Sequence, residues 1–285
     1  MLRSTVLLAG LLFAPRPLPA QSTAAEVAAE RAAYLEWLRT APNSPLAAVA
    51  QQPVGNGLRI GPADADVPLP GVPELRVTQR GGAVRLEGTG APRVIPAGRP
   101  LPLGRYHIGA GGPPGARVVS IFADSAVRKL PVHYPYDPGL VFEGTLAPAE
   151  APDRTRVLAV DGVETEAAEA GTVMVPVGGA RVRLRVRRIA SSDEESELEI
   201  FFRDATNGAG TYPAGRFVSL IPLGGDRYRL DFNRARNPFC AYSTAYPCPA
   251  PWGGNAIPAP VAAGERYSGG GLEVGAAQGP AGEGE

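Results

Sequence analysis

The spacing of apolar and polar positions changes its period once along the chain. Between Ser22 or Thr23 and about Thr40, the residues Val27, Tyr34, Leu35 and Leu38 fall on one helical face. A hydroxyl residue stands in place to cap the first turn and Pro42 blocks continuation, so this stretch predicts a helix. Ser44-Pro45 then has the form of a cap and first-turn pair opening one short turn over 46–49. From Gly57 the helical period disappears. Short runs of Val, Leu, Ile and Arg alternate with Gly and Pro clusters roughly every ten residues, the pattern of a β-sandwich or barrel. The predicted strands are 58–60, 75–79, 83–86, 105–108, 117–122, 140–146, 154–160 and 172–177.

Two hairpins are sharper. Residues 181–187 alternate Arg with Val or Leu, and Glu197, Leu198, Glu199 and Ile200 alternate likewise before Phe201 and Phe202. Each strand therefore has one apolar and one charged face. Antiparallel pairing about the acidic loop 191–196 is expected to set Arg opposite Glu on a solvent face, each pair contributing about 0.2–1 kcal/mol. The arginines read as one side of a charge-paired sheet before they read as an anion-binding stripe. The second hairpin, 216–222 with 227–233, sends Tyr228, Leu230 and Phe232 to one side and Arg229, Asp231 and Asn233 to the other. The expected fold class is mainly β, an antiparallel β-sandwich or barrel-like architecture with one or two N-terminal helices and a disordered Gly-rich tail. The expected segments are 1–20, a signal peptide; 21–50, helical; 51–146, a first β-unit; 147–267, a second β-unit; and 268–285, the tail, with 148–153 as the seam between β-units.

Composition adds exclusions. Acidic and basic side chains balance at 28 each, so no net positive field exists to collect nucleic acid or anionic lipid. Arg3, the apolar run 5–14 and the exit Leu18-Pro19-Ala20 form a secretory signal peptide ending near Ala20. That run is too short for a bilayer, which needs about 20 residues, and no later stretch is longer. The expected product is extracytoplasmic, periplasmic or secreted, without a transmembrane segment. Cys240 and Cys248 are the only two cysteines, and in an oxidising compartment they are expected to form a disulfide contributing about 2–3 kcal/mol. Their spacing is not that of a zinc motif, and His107 and His133 lie far upstream in strand-like settings that suit packing, so no metal or cofactor is expected. Gly-x-Ser-x-Gly, His-Glu-x-x-His and phosphate-loop patterns are all missing.

The chemistry concentrates in the last third. Asp204, Arg216, Asp231, Asn233, Asn237, Asn255 and Glu265 sit on predicted loops and strand ends, interleaved with Pro, Gly and aromatic residues that stiffen the backbone. Such groups need mutual satisfaction. They form either a buried network tying irregular loops to the sheet or a preorganised pocket facing a polar molecule. The same stretch resembles the family known as domain of unknown function 1684. The resemblance rests on Asp204 and Thr206, on Thr211-Tyr212 and Gly215-Arg216, on Asp231-Phe232-Asn233, and on Asn237-Pro238 with Cys240-Ala241. It continues through Cys248-Pro249, Pro251 and Asn255 to Ala263-Gly264-Glu265. It is strong over 201–266 and loose over 25–200, and it implies a shared fold without implying a reaction. The function expected is binding of a small polar ligand or cell-envelope component by Asp204, Thr206, Tyr212, Arg216, Asp231, Asn233, Asn237, Asn255 and Glu265. Arg216 would pair with an anionic or carbonyl group, the asparagines would orient it, and Tyr212 or Trp252 would stack. Two alternatives remain open: a carboxylate-dependent hydrolase using Asp204, Asp231 or Glu265, and a structural envelope module with no ligand.

Overall fold

The computed structural model describes residues 23–267 apart from 89, 127, 191–195 and 251. The signal peptide expected over 1–20, the disorder expected over 268–285 and most of the acidic loop lie outside the described residues.

Helix α1, Ala24–Thr40, starts at a capping box: Glu26 N donates to the Thr23 hydroxyl at 3.2 Å, and Thr23 N donates back to the Glu26 carboxylate at 2.9 Å. Ser44 caps a single 3-10 turn, Pro45–Ala47, and its hydroxyl also donates to Leu38 O at 2.6 Å, fastening the turn to the helix end. Among the described residues no helix is long and apolar enough to cross a membrane.

The rest is mainly β. In chain order the first strands are β1 (Ala48–Pro53), β2 (Leu58–Gly61), β3 (Val67–Pro68), β4 (Leu75–Arg80), β5 (Ala83–Gly88), β6 (Gly90–Ile95), β7 (Leu101–Leu103), β8 (Tyr106–Gly111) and β9 (Val118–Ala123). They make a five-stranded sheet, β3-β2-β4-β5-β6, and a four-stranded sheet, β1-β9-β8-β7. Both turn their apolar side chains, including Ile60, Val77, Ile108 and Ile121, into one shared core. The remaining strands are β10 (Val141–Thr145), β11 (Ala147–Pro148), β12 (Arg154–Leu158), β13 (Glu164–Val177), β14 (Ala180–Ala190), β15 (Ser196–Phe202), β16 (Arg216–Gly224) and β17 (Arg227–Asp231). They form an eight-stranded sheet in the order β10-β17-β16-β15-β14-β13-β11, with β12 also on β13. The sheet nearly closes into a barrel: β10 returns so close to β13 that a Cβ on Gly144 would lie 3.7 Å from Met174 O. Leu184, Ile200, Phe202, Phe232 and Val261 fill its interior.

Local patterning located most strands, and the differences have physical causes. The second hairpin strand stops at Asp231, because the Asp231 carboxylate accepts from Asn233 N and turns the chain into a 3-10 turn, Phe232–Arg234. Residues 148–153 run from β11 to β12, and both of these strands pair with β13 of the eight-stranded sheet. The short turn expected over 46–49 ends at Ala47, and β1, β3, β6, β7 and β11 had no periodic signal long enough to register.

The charged ladder is a correction. Arg187 stands opposite Glu199, but Glu197 faces Ile189, while Arg181, Arg183 and Arg185 pair in register with Pro176, Met174 and Thr172 of β13. Arg187 and Glu199 are both buried, 8% and 5% exposed, so this end of the face is not solvated. Phe201, Phe217, Ile189 and Trp252 cover it, and the Arg187 guanidinium lies 5.3 Å from the centre of the Trp252 ring. Alternation within a strand predicts two faces; it does not say which neighbours later cover them.

Candidate functional site

The residues singled out in the sequence are brought into one connected neighbourhood, and all of them are buried. Its centre is Arg216 at the start of β16. Gly215 before it sits at φ +115°, where a Cβ would come within 2.5 Å of Phe202 O, so only glycine brings the chain in at this angle. The Arg216 guanidinium donates to Asp204 Oδ2 at 2.9 Å, to Val261 O at 2.8 Å and to Ala263 O, and lies over the Phe202 ring. Burial pulls its pKa down, and the Asp204 charge opposes the shift. Asp204 Oδ1 takes the Thr206 amide at 2.8 Å, the Thr206 hydroxyl at 2.6 Å and Val261 N at 3.1 Å. Thr206 in turn shares a hydrogen bond with Thr211 at 2.8 Å. The pair thus staples 261–265, a stretch outside the named strands that is bridged to His133 at Glu265, to the chain just past β15.

Asn255 does similar work on the other side. Its amide accepts from Arg185 N at 2.7 Å and donates to Arg185 O at 3.0 Å and Phe201 O at 3.1 Å, imitating a strand partner where β14 and β15 have stopped pairing. Asn233 bridges Asp137 N and Asp137 O at 2.8 and 2.9 Å while donating to Asp231. Arg234 adds an ion pair to Asp231 and pairs with Glu30 of α1. Glu265 accepts from Asn237 N at 2.9 Å and from the Tyr242 hydroxyl, and burial raises its pKa. Gly264 beside it, at φ +73°, permits this approach, since a Cβ there would meet Ala235 O at 2.5 Å. Cys240 and Cys248 are joined in a disulfide, and the Tyr212 hydroxyl touches both sulfurs at 3.4 and 3.3 Å. Tyr212 and Trp252 are themselves buried, 4% and 7% exposed, Tyr212 against Tyr267 and Trp252 against Phe201 and Phe217.

A cavity of about 620 Å³ lies beside this framework, between α1 and the outer face of β15, β16 and β17. Of the residues expected from the sequence, Asn233 reaches it; Asp204, Asp231 and Glu265 do not line it. Arg31, Arg229, Arg234 and Arg236 contribute cationic groups to its wall, and Glu26, Glu30 and Glu199 acidic ones. Three of the arginines are engaged. Arg31 donates to Tyr134 O and Asn233 O at 2.9 and 2.8 Å, Arg229 pairs with Glu143, and Arg234 with Glu30. Arg236 makes no ion pair among the described residues and rests over the Tyr34 ring, 5.5 Å from its centre. Glu199 makes no hydrogen bond among them either, and its pKa is raised to about 7, first by burial and then by Glu197, with Arg236 opposing. His133, on the same wall, is pushed down to about 4 by burial and by Arg31, so it is neutral at ordinary pH. Sequence reasoning missed Glu199 and Arg236. Glu199 looked like a solvated ladder position, and Arg236 lies between two motif residues without belonging to the motif. Among the described residues no group of three or more His, Cys, Asp or Glu side chains is placed to hold a metal ion.

Residues 128–266 match the model of the family described as a protein of unknown function, DUF1684. That region belongs to the DUF1684 family. The match takes in the framework and most of the cavity wall, but leaves out α1, which closes the cavity from the other side. A solution NMR structure of an uncharacterised protein from Haloarcula marismortui is 33% identical, with 48% of this chain and 76% of that one covered and a TM-score of 0.43. No curated protein matches the chain.

Proposed function

We propose that this DUF1684 protein is exported and binds a small polar molecule carrying a carboxylate or carbonyl group in the cavity beneath α1. On this reading the buried cluster is the framework and the cavity is the site. One observation carries it: Glu199, a buried carboxylate without a hydrogen bond among the described residues, and Arg236, an exposed guanidinium without an ion pair among them, line the same cavity. A ligand acceptor would take Arg236, and a ligand hydroxyl or amide would donate to Glu199. A buried polar group is ordinarily paired, so Glu199 without a partner, with the exposed Arg236 guanidinium at the same cavity, favours an occupant that pairs both. Asn233, already held by Asp137 and Asp231, stiffens the wall between them. Export is supported by the charge and hydropathy pattern of residues 1–20 and fits the Cys240–Cys248 bridge.

The test is a thermal-shift and calorimetric titration of the purified protein with small hydroxy acids, amino acids and uncharged polyols. An anionic or carbonyl-bearing compound is expected to bind, and Arg236→Ala to weaken that binding about tenfold or more without lowering the melting temperature. Binding that ignores both Arg236→Ala and Glu199→Gln, or no binding by any compound of this class, would reject the site.

A further inference from the structure

A second recess opens on the opposite side of Glu199. It runs between the four-stranded sheet and the turn joining β12 to β13, as two adjoining cavities of about 680 and 310 Å³. The two share Gly98, Ala110, Gly111, Val160, Asp161 and Val163 and so form one cleft. Its outer end carries Glu197 and Glu199, its middle Asp161, and its inner end the rings of Trp37, Phe239 and Tyr246.

The turn holding Asp161 is built into place. Ala159 N donates to Val163 O at 3.0 Å, Val163 N to Asp161 Oδ1 at 3.0 Å, Gln51 of β1 to Asp161 O at 3.2 Å, and Phe239 N to Val160 O at 2.8 Å. Asp161 itself accepts from Val163 N at its carboxylate and from Gln51 at its carbonyl, and no arginine, lysine or histidine pairs with it among the described residues. Glu199, nine-tenths buried, is likewise without a hydrogen bond or ion pair. The basic groups along the cleft are Arg99 and Arg117, and Arg117 is committed to Gly82 O and Gly112 O. The three carboxylates of the cleft, Asp161, Glu197 and Glu199, thus outnumber its two guanidiniums, and neither guanidinium pairs with them among the described residues. Its inner end supplies aromatic surface, with Phe239 edge-on to Tyr246 at 5.4 Å and Trp37 beyond it at 6.4 Å from Phe239.

We propose that this cleft binds an organic amine, with ammonium groups between Asp161 and Glu199 and the carbon chain along the Trp37, Phe239 and Tyr246 rings. A cation placed there would supply the missing counter-charge, and aromatic faces attract ammonium groups as well as alkyl chain. Burial and like charge act together on these carboxylates. Burial raises Asp161 with no basic side chain to offset it, and Tyr246 is raised by its own burial and by the Asp161 charge. Glu199 feels Glu197 and Asp161 as repulsion and Arg236 as the one opposing cation. Amine binding expels a proton from this set, so affinity rises with pH through the range where Glu199 titrates, near 7.

The experiment is calorimetric titration of the purified protein with 1,4-diaminobutane from about pH 5 to about pH 8, beside a neutral disaccharide. The expected result is diamine binding that strengthens with pH, weakens with salt, and falls about tenfold or more in Asp161→Asn, which keeps the acceptor for Val163 N. Glu199→Gln should remove the pH dependence. Arg236→Ala, which tests the cavity beneath α1, should leave diamine binding at about pH 8 unchanged, so the two sites fail separately. No diamine binding, tighter binding of the disaccharide, or binding that both carboxylate variants retain would overturn the proposal.

Discussion

Arg216 and Asp204 form an ion pair with both side chains at 0% exposure, 2.9 Å apart, and the same guanidinium also serves the carbonyls of Val261 and Ala263. Removing one member leaves the other charged and dry, which typically costs about 3–5 kcal/mol. Arg216→Met should cost more than Asp204→Asn, because it also frees two buried carbonyls. The double variant should lose less than the sum of the singles. Urea unfolding of the three proteins checks this; additive losses would mean that the pair is not coupled.

Asn255 substitutes for a missing strand partner, so Asn255→Ala strands Arg185 N, Arg185 O and Phe201 O inside the protein. At about 1–3 kcal/mol for an unsatisfied buried group, the loss should be about 3 kcal/mol or more. Asn255→Asp should also destabilise, since a carboxylate keeps the acceptor for Arg185 N but cannot donate. Thermal melts of both variants decide it, and melting with the wild type would refute the mimicry.

Glu199 carries a signed pH dependence. Its pKa rises from 4.5 to about 7 on folding, so the folded state holds the proton more tightly than the unfolded chain. The stability this contributes is complete below about pH 4.5 and is lost as pH climbs through about 7. The full span is about 3 kcal/mol. Glu199→Gln should flatten that part of the stability profile and gain on the wild type above about pH 7, as followed by denaturant midpoints across the range. Parallel profiles for the two proteins would contradict the shift.

Cys240 and Cys248 are bonded, and no free cysteine occurs among the described residues. Titration of the unfolded protein should therefore find no thiol before reduction and two after it. Cys240→Ser with Cys248→Ser should cost about 2–3 kcal/mol by the loop-entropy argument, measured by urea unfolding. Two thiols without reductant would disprove the bridge.

Much of the framework was legible before folding was considered. A hydroxyl residue at 22 or 23 and Pro42 bracket the helix, and the alternation in 181–187 and 197–200 sets two faces, whereas the Glu26 half of the capping box and the backbone at Gly215 and Gly264 that no side chain tolerates emerged with the fold. The polar residues of the last third also declared that they need partners, because desolvated amides and carboxylates do wherever they lie. Their partners were not legible. Val261 O for Arg216, Asp137 for Asn233 and Arg185 for Asn255 are backbone groups of ordinary residues, carrying no sequence signal at all.

By itself the sequence determined what local interactions decide: the helix and its cap, the strand periods, the turn glycines and the presence of a polar cluster. The tertiary structure alone decided which charges are left facing open space. Glu199 and Arg183 occupy equivalent-looking positions in alternating strands, yet one is 5% exposed between two cavities and the other stands in solvent. The difference comes from Trp252, α1 and the β12–β13 turn, brought over that end of the sheet from distant parts of the chain. Burial is a property of neighbours, and the chemistry of a carboxylate follows its burial.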